Sequence, residues 1–118
     1  AIPGCATVPL QHGLLREGRI ILDLEATRKL MEKGTAILVD ADGLAGPLIL
    51  LRHQGQWRAL SAVCTHQNCQ IRPQTHMLPC PCHGSTFDLA GKVTRGPAPA
   101  DLPSYRVEQN ADTIEILL

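Results

Sequence analysis

The stretch that decides the fold of this chain reads Cys64-Thr65-His66-Gln67-Asn68-Cys69 and, after ten further residues, Cys80-Pro81-Cys82-His83-Gly84-Ser85. These two boxes, 64–69 and 80–85, hold four of the five cysteines and two of the five histidines of the 118-residue chain. Thiolate and imidazole are preferred protein ligands of iron and zinc. The two boxes therefore indicate a metal centre built between two loops.

Each box contains one Cys–His pair whose spacing can direct both side chains to one site. Residues i and i+2 of extended backbone point the same way, which suits the first box, and a tight turn brings together the pair of the second. The simplest partition gives the metal one such pair from each box and joins the two remaining cysteines as a disulfide. The ligands would then be Cys64, His66, Cys80 and His83, and the disulfide would join Cys69 to Cys82.

Two plainer interpretations use the same residues. A structural zinc ion also takes mixed Cys/His ligands, but its common C-x2-4-C and H-x3-5-H spacings are absent here. A pure disulfide scaffold leaves the matched histidines of the two boxes without a role. His76, between the boxes, is a ligand by residue type, but the second box already supplies a better one.

The two boxes, read as C-T-H-x-x-C and C-P-C-H-G-S, resemble those of the Rieske iron–sulfur proteins. The resemblance implies one [2Fe-2S] cluster per chain. Cys64 and Cys80 would hold one iron, His66 and His83 would hold the other, and Cys69–Cys82 would be a disulfide. Two neutral imidazoles in place of two thiolates remove negative charge from the centre. The potential therefore rises to roughly −150 to +300 mV, against about −400 mV for all-Cys plant-type clusters.

The resemblance also assigns residues around the cluster. Ser85, two places after the second His, would hydrogen-bond a cluster sulfur, and Phe87 stands where many members have a tyrosine that does the same. Gly96-Pro97-Ala98-Pro99 would form a third loop that covers the cluster. The first box departs from the bc-type pattern, because Gln67-Asn68 stands where Leu-Gly is usual and would make the tip more polar.

Short apolar runs separated by Gly/Pro turns, with almost no helix, predict an all-β domain. The resemblance specifies stacked antiparallel sheets. The whole chain, 1–118, would be one domain, with a base of about 1–59 and 101–118 and a cluster-binding subdomain of about 60–100. Residues 7–18 look irregular, and 25–33 suggest a helical turn ending at Gly34. The expected strands are 18–24, 35–40, 48–53, 57–63, 104–108 and 113–118.

Charge and hydropathy exclude several classes of partner. The formal net charge is zero, so nothing in it suggests nucleic acid or an anionic membrane. No apolar run reaches the eighteen or so residues of a transmembrane helix, and no signal peptide is recognisable. We expect either a soluble protein or the soluble part of a longer one, and the resemblance favours the second, with a membrane anchor absent from this chain. Cys5 is a leftover cysteine, either incidental or lipid-modified.

The function implied is one-electron transfer, because no paired carboxylates, activated nucleophile or phosphate loop indicates an active site of its own. The resemblance to bc-type subunits implies a quinol-oxidising complex, with a cytochrome b-type subunit and a c-type cytochrome as partners. A disulfide implies the periplasm or another oxidising compartment. Two alternatives stay open: the Rieske subunit of an arsenite-oxidase-like molybdoenzyme or a periplasmic carrier, and an oxygenase ferredoxin, a class that typically lacks the disulfide pair.

Overall fold

The structure is a computed structural model that describes residues 8–32, 34–66 and 68–118. Cys5 and Gln67, to which the sequence drew attention, lie outside these residues. The elements in chain order are β1 Leu10–Arg16, β2 Arg19–Asp23, α1 Leu24–Met31, β3 Ala36–Ala41, β4 Leu48–His53, β5 Gln56–Ser61, β6 Leu78–Pro79, β7 Thr86–Phe87, β8 Val93–Arg95, β9 Ser104–Gln109 and β10 Thr113–Leu117.

Seven of the strands close into a barrel in the order β1-β2-β10-β9-β5-β4-β3. Neighbouring strands are antiparallel except β1 and β3, which run parallel and close the barrel. Strands β6, β7 and β8 form a separate antiparallel sheet. The all-β prediction is confirmed. No helix in the described part of the chain is long and apolar enough to cross a membrane.

Alternation of apolar and polar residues explains the inside of the barrel. In β2 and β10 the isoleucines and leucine at every second position are buried, and they face each other in register as Ile20 with Ile116 and Leu22 with Ile114. Strand β4 differs, because Leu48 to Leu51 are all buried. One face of β4 packs inside the barrel, and the other packs against a second apolar cluster that includes residues of the small sheet. The continuous apolar run of β4 thus reflects burial on both faces.

The expectation of irregular structure at 7–18 is wrong, because β1 spans Leu10–Arg16. Its alternation is inverted, since the inward positions are Gln11 and Gly13 while the leucines at 10 and 14 are exposed. A Cβ on Gly13 would lie 2.6 Å from Ile20 Cγ2, so glycine is needed for the close approach of β1 to β2. Gln11 is satisfied inside by a 2.7 Å hydrogen bond from the Thr27 hydroxyl. The hydrophobic pattern therefore carried no strand signal.

The helical turn expected at 25–33 is present as α1, Leu24–Met31, whereas Lys33, in the last part of the expected range, lies outside the described residues. Asp23 precedes it and accepts a 2.9 Å hydrogen bond from the Ala26 N–H, which caps the first turn. Leu30 and Met31 pack against the barrel core, as the sequence suggested. The helix therefore covers the barrel through the core cluster that does not contain the cysteine loops.

Candidate metal centre

The first box forms a loop that closes on itself. It follows β5, and an antiparallel bridge between Val63 and Gln70 pairs the residues just before and just after the box. The Cys64 N–H donates to the Cys69 carbonyl at 2.7 Å, and the Asn68 N–H donates to the Cys64 carbonyl at 3.1 Å. Asn68 has a φ of 55°, a left-handed conformation that asparagine tolerates better than most residues other than glycine. Asparagine can therefore make the turn at a position where bc-type boxes usually have glycine.

The second box is the loop between β6 and β7, and it closes in the same way. The Cys80 N–H donates to the Ser85 carbonyl at 2.8 Å. Gly84 has a φ of 79°, a conformation in which a side chain would be strained. Each box thus presents its first cysteine where a tight loop begins, with the first N–H of the loop bonded across to its end.

Both first cysteines are free thiols and almost fully buried, with Cys64 1% and Cys80 3% exposed. Main-chain N–H groups point at the sulfurs, from His66 to Cys64 Sγ at 3.5 Å and from Cys82 and His83 to Cys80. Burial raises the pKa of the Cys80 thiol, and the adjacent Cys64 thiol adds to the rise, whereas the N–H groups lower it. A cation bound by both sulfurs would offset the cost of burying two thiolates.

The imidazoles of the two boxes lie beside each other. The ring centroids of His66 and His83 are 4.9 Å apart, and the ring planes are nearly perpendicular at 89°. His66 is half-buried and His83 is exposed. The two boxes therefore offer two buried thiols, one half-buried imidazole and one exposed imidazole. That these four groups form the ligand set stays a prediction.

The predicted disulfide between Cys69 and Cys82 is present and links the two loops. The sulfur atoms of Cys69, Cys80 and Cys82 all lie within 4.8 Å of one another. Since two of the three are bonded to each other, only Cys80 of this group can offer a thiolate to a metal. The disulfide is thus packed directly beside a candidate ligand.

The Gly96-Pro97-Ala98-Pro99 loop is hydrogen-bonded to the second box, and the residue after it is bonded to the first. The buried Ala98 donates its N–H to Ser85 Oγ at 3.0 Å. Thr65 Oγ1 donates to the Ala100 carbonyl at 2.7 Å. Sequence reasoning did not predict the bond from Thr65 to Ala100. The only indication of it in the sequence is that Thr65, which carries a hydroxyl, is next to the candidate ligand His66. Two side-chain bonds therefore hold the third loop against both ligand loops.

Ser85 and Phe87 are both fully buried, and Phe87 belongs to the same apolar cluster as Cys64 and Cys80. Sequence reasoning gave Ser85 only the role of a donor to sulfur, but its oxygen also accepts the Ala98 bond. Among the described residues, no hydrogen bond donated by this hydroxyl is present. The roles of these two side chains toward a cluster stay predictions.

The donor set fits a [2Fe-2S] cluster with mixed ligation, because two sulfurs and two ring nitrogens are available and N–H groups are already directed at both sulfurs. By ligand type alone, tetrahedral zinc would fit as well. The choice between the two rests on the comparison with known proteins.

A model of the Rieske [2Fe-2S] domain family matches residues 23–106. The cytochrome b6-f complex iron-sulfur subunit of Chlorobaculum tepidum is 38% identical over 63 residues, which are 52% of this chain and 35% of that subunit. The corresponding subunit of Prochlorococcus marinus subsp. pastoris is 34% identical over 82 residues, 68% of this chain and 40% of that subunit. The chain thus spans between about a third and two fifths of these relatives.

Among solved structures, the cyanobacterial plasma membrane Rieske protein PetC3 from Synechocystis PCC 6803 is 30% identical, with a TM-score of 0.69 over 82% of this chain and 99% of that one. A complex of reduced oxygenase and oxidized ferredoxin in carbazole 1,9a-dioxygenase contains a chain that is 26% identical, with a TM-score of 0.59 over 71% of this chain and 81% of that one. The family match covers most of the chain, including both boxes. The chain therefore belongs to the Rieske family, whose domain binds a [2Fe-2S] cluster.

Proposed function

We propose that this Rieske domain is the extrinsic part of an iron–sulfur subunit in a quinol-oxidising cytochrome bc-type complex. The cluster ligands in this proposal are Cys64 and Cys80 on one iron and His66 and His83 on the other. When bound, the cluster takes up and releases one electron at a time. The observation that carries the proposal is that the Cys69–Cys82 disulfide joins the two loops, each of which supplies one buried thiol and one imidazole.

Different groups of the protein would stabilise the charge of such a centre, shield it from water and connect it to a partner. N–H groups directed at Cys64 and Cys80 stabilise negative charge on the sulfurs, and the apolar cluster around them excludes water. The exposed His83 offers the shortest route to a partner, since its ring lies at the surface. The Cys69–Cys82 disulfide limits the motion of both loops, so little reorganisation is needed when charge changes.

The finer assignments belong to the same proposal. The base comprises about 1–59 and 101–118 and the cluster-binding subdomain about 60–100, a division supported by the separate small sheet. The partners are a cytochrome b-type subunit and a c-type cytochrome, in keeping with relatives that are subunits of cytochrome b6-f complexes. The disulfide favours the periplasm or another oxidising compartment.

An oxygenase ferredoxin is the second candidate, because the fold also resembles a chain of the carbazole 1,9a-dioxygenase complex. The disulfide argues against it, because that class typically lacks the cysteine pair. The gene neighbourhood separates the two, since a cytochrome b gene beside this one supports the bc-type proposal and oxygenase genes contradict it.

The ligand set is tested by metal analysis of purified variants. The unchanged protein should contain two irons and two acid-labile sulfides per chain, with a low-average-g EPR signal when reduced. His83→Ala should lose the cluster. The matched control is His76→Ala, because His76 is exposed and lies between the boxes but outside the ligand set. Stoichiometric zinc, or equal loss of iron in the two variants, would contradict the proposal.

A further inference from the structure

Charge is unevenly distributed along this neutral chain. Residues 60–100 contain three basic side chains and one acid, a net charge of +2, so the remaining residues together carry −2. The basic side chains are Arg72, Lys92 and Arg95, and the acid is Asp88. The part of the molecule with the two cysteine boxes is therefore positive relative to the barrel.

Arg72 and Arg95 belong to one row across the small sheet. The Arg72 N–H donates to the Pro79 carbonyl at 3.1 Å, Pro79 pairs with Thr86, and Thr86 pairs with Arg95. With neighbouring strands about 4.8 Å apart, the Cα atoms at the two ends of the row are about 14 Å apart. The loop that carries the exposed His83 connects the two middle residues of the row. The two arginines therefore flank the base of the His83 loop.

Both arginines of the row are exposed. Leu78 and Phe87, which are next to its middle residues in sequence, are fully buried. Arg95 lies beside a β-bulge, so its exposure, and not the alternation of side chains along the strand, places it at the surface. A second protein could therefore reach both guanidinium groups.

Neither of these arginines makes an ion pair or a side-chain hydrogen bond with any described residue. On the barrel, in contrast, Arg19 is held by Glu108 at 2.9 Å and Glu115 at 3.2 Å. Two acids lie close to β8. Asp88 accepts two 2.9 Å hydrogen bonds at one oxygen from the N–H groups of Ala90 and Lys92, and Asp101 accepts one at 2.9 Å from the Val93 N–H. Neither carboxylate pairs with Arg72 or Arg95, so the two guanidinium charges beside the His83 loop have no ion-pair partner among the described residues.

We propose that Arg72 and Arg95 form a docking surface for an acidic patch on the electron-transfer partner. A partner that exchanges electrons through His83 has to approach this loop, and carboxylates on its surface would be steered to the two arginines. The inference rests on the proposed function only for the use of His83 as the electron exit. Binding of anions to the arginines can be measured without electron transfer.

The first test uses the redox-inert paramagnetic anion hexacyanochromate(III) and NMR of the oxidised holoprotein. The anion should broaden amide signals of Thr86 and Thr94 at low ionic strength, and Arg72→Gln combined with Arg95→Gln should abolish the broadening. Arg28→Gln is the matched control, because Arg28 is an exposed arginine of α1 on the barrel. Broadening that survives in the double variant, or disappears equally in the control, would overturn the proposal.

The second test is stopped-flow oxidation of the reduced holoprotein by hexacyanoferrate(III), which takes one electron and becomes hexacyanoferrate(II). At about 10 mM ionic strength each Arg→Gln change should slow the reaction roughly three- to five-fold, because the oxidant is a trivalent anion that would approach to about 10 Å from the lost charge. At about 0.5 M ionic strength the charges are screened, so the difference in rate should nearly vanish. A cationic oxidant, tris(phenanthroline)cobalt(III), should react with the variants at least as fast as with the unchanged protein. Equal slowing with both oxidants would overturn the proposal.

Two measurements distinguish the docking surface from the proposed electron-transfer function and from a surface that binds anionic lipid. If the protein lacks the [2Fe-2S] EPR signal, the proposed function fails, whereas a normal signal with no salt dependence refutes only the docking surface. Vesicles of phosphatidylcholine with phosphatidylglycerol test a lipid surface. The holoprotein should not bind them at about 0.15 M salt, and binding that depends on Arg72 and Arg95 would assign the surface to anionic lipid and refute the protein partner.

Discussion

Replacing Ser85 by alanine removes a hydroxyl that makes one observed hydrogen bond and is predicted to make a second. Ser85 Oγ accepts the buried N–H of Ala98 at 3.0 Å, and this bond holds the third loop against the second box. By the Rieske resemblance its proton would be donated to a cluster sulfur, which is the prediction to be tested. The substitution should therefore lower both the stability of the domain and the potential of the cluster.

The two effects have separate magnitudes. Ala98 is 7% exposed, so its N–H would be left without an acceptor away from water, which costs about 1–3 kcal/mol of unfolding free energy. For a domain of this size that lowers Tm by roughly 4–12 °C. If the lost donor bond favoured the reduced cluster by about 1 kcal/mol, the potential falls by about 40 mV for one electron.

The assay combines voltammetry at one pH with thermal unfolding of the holoprotein. Thr94→Val is the matched control, since it removes a 2.7 Å hydroxyl bond to Thr86 on the exposed side of the same small sheet. The control should change the potential by less than about 10 mV. A lower Tm with an unchanged potential in Ser85→Ala would refute the bond to sulfur. No change in either quantity would refute the role of the Ala98 bond as well.

Three further predictions concern the same region. Phe87→Tyr should raise the potential by several tens of millivolts in voltammetry if its hydroxyl reaches a ligand sulfur; an unchanged potential with lower stability would mean that the hydroxyl points into the apolar cluster. Cys69→Ala removes the bond to Cys82 and opens a loop of about 14 residues, so the unfolding free energy should fall by about 3 kcal/mol, with loss of iron; full iron retention would contradict this. Thr65→Val removes the 2.7 Å bond to the Ala100 carbonyl, which water can replace, so denaturant unfolding should show a loss of about 0.5–1.5 kcal/mol; a loss above 3 kcal/mol would mean that more than this bond is broken.

The metal-binding boxes and several strands could be predicted from the sequence because their signals are local. Residues 64–69 and 80–85 carry all the candidate ligands within a few positions of one another. The expected strands 48–53 and 57–63 are β4 and β5, and the chain turns between them at Gln54 and Gly55, both with positive φ. The expected strands 104–108 and 113–118 are likewise β9 and β10, which pair with each other. Such features depend on neighbours in the chain, so spacing alone is sufficient.

The tertiary structure decided what depends on residues far apart in sequence. Strand β1 carries inward-facing Gln11 and Gly13, and only the contact with Ile20 and the hydrogen bond from Thr27 make those residues suitable there. The third loop was expected from a resemblance, but its attachment depends on Thr65 bonding across 35 residues and on Ser85 bonding across 13. A sequence pattern records which side chains can donate or accept, whereas the partner of each is chosen by the path of the backbone that brings distant segments together.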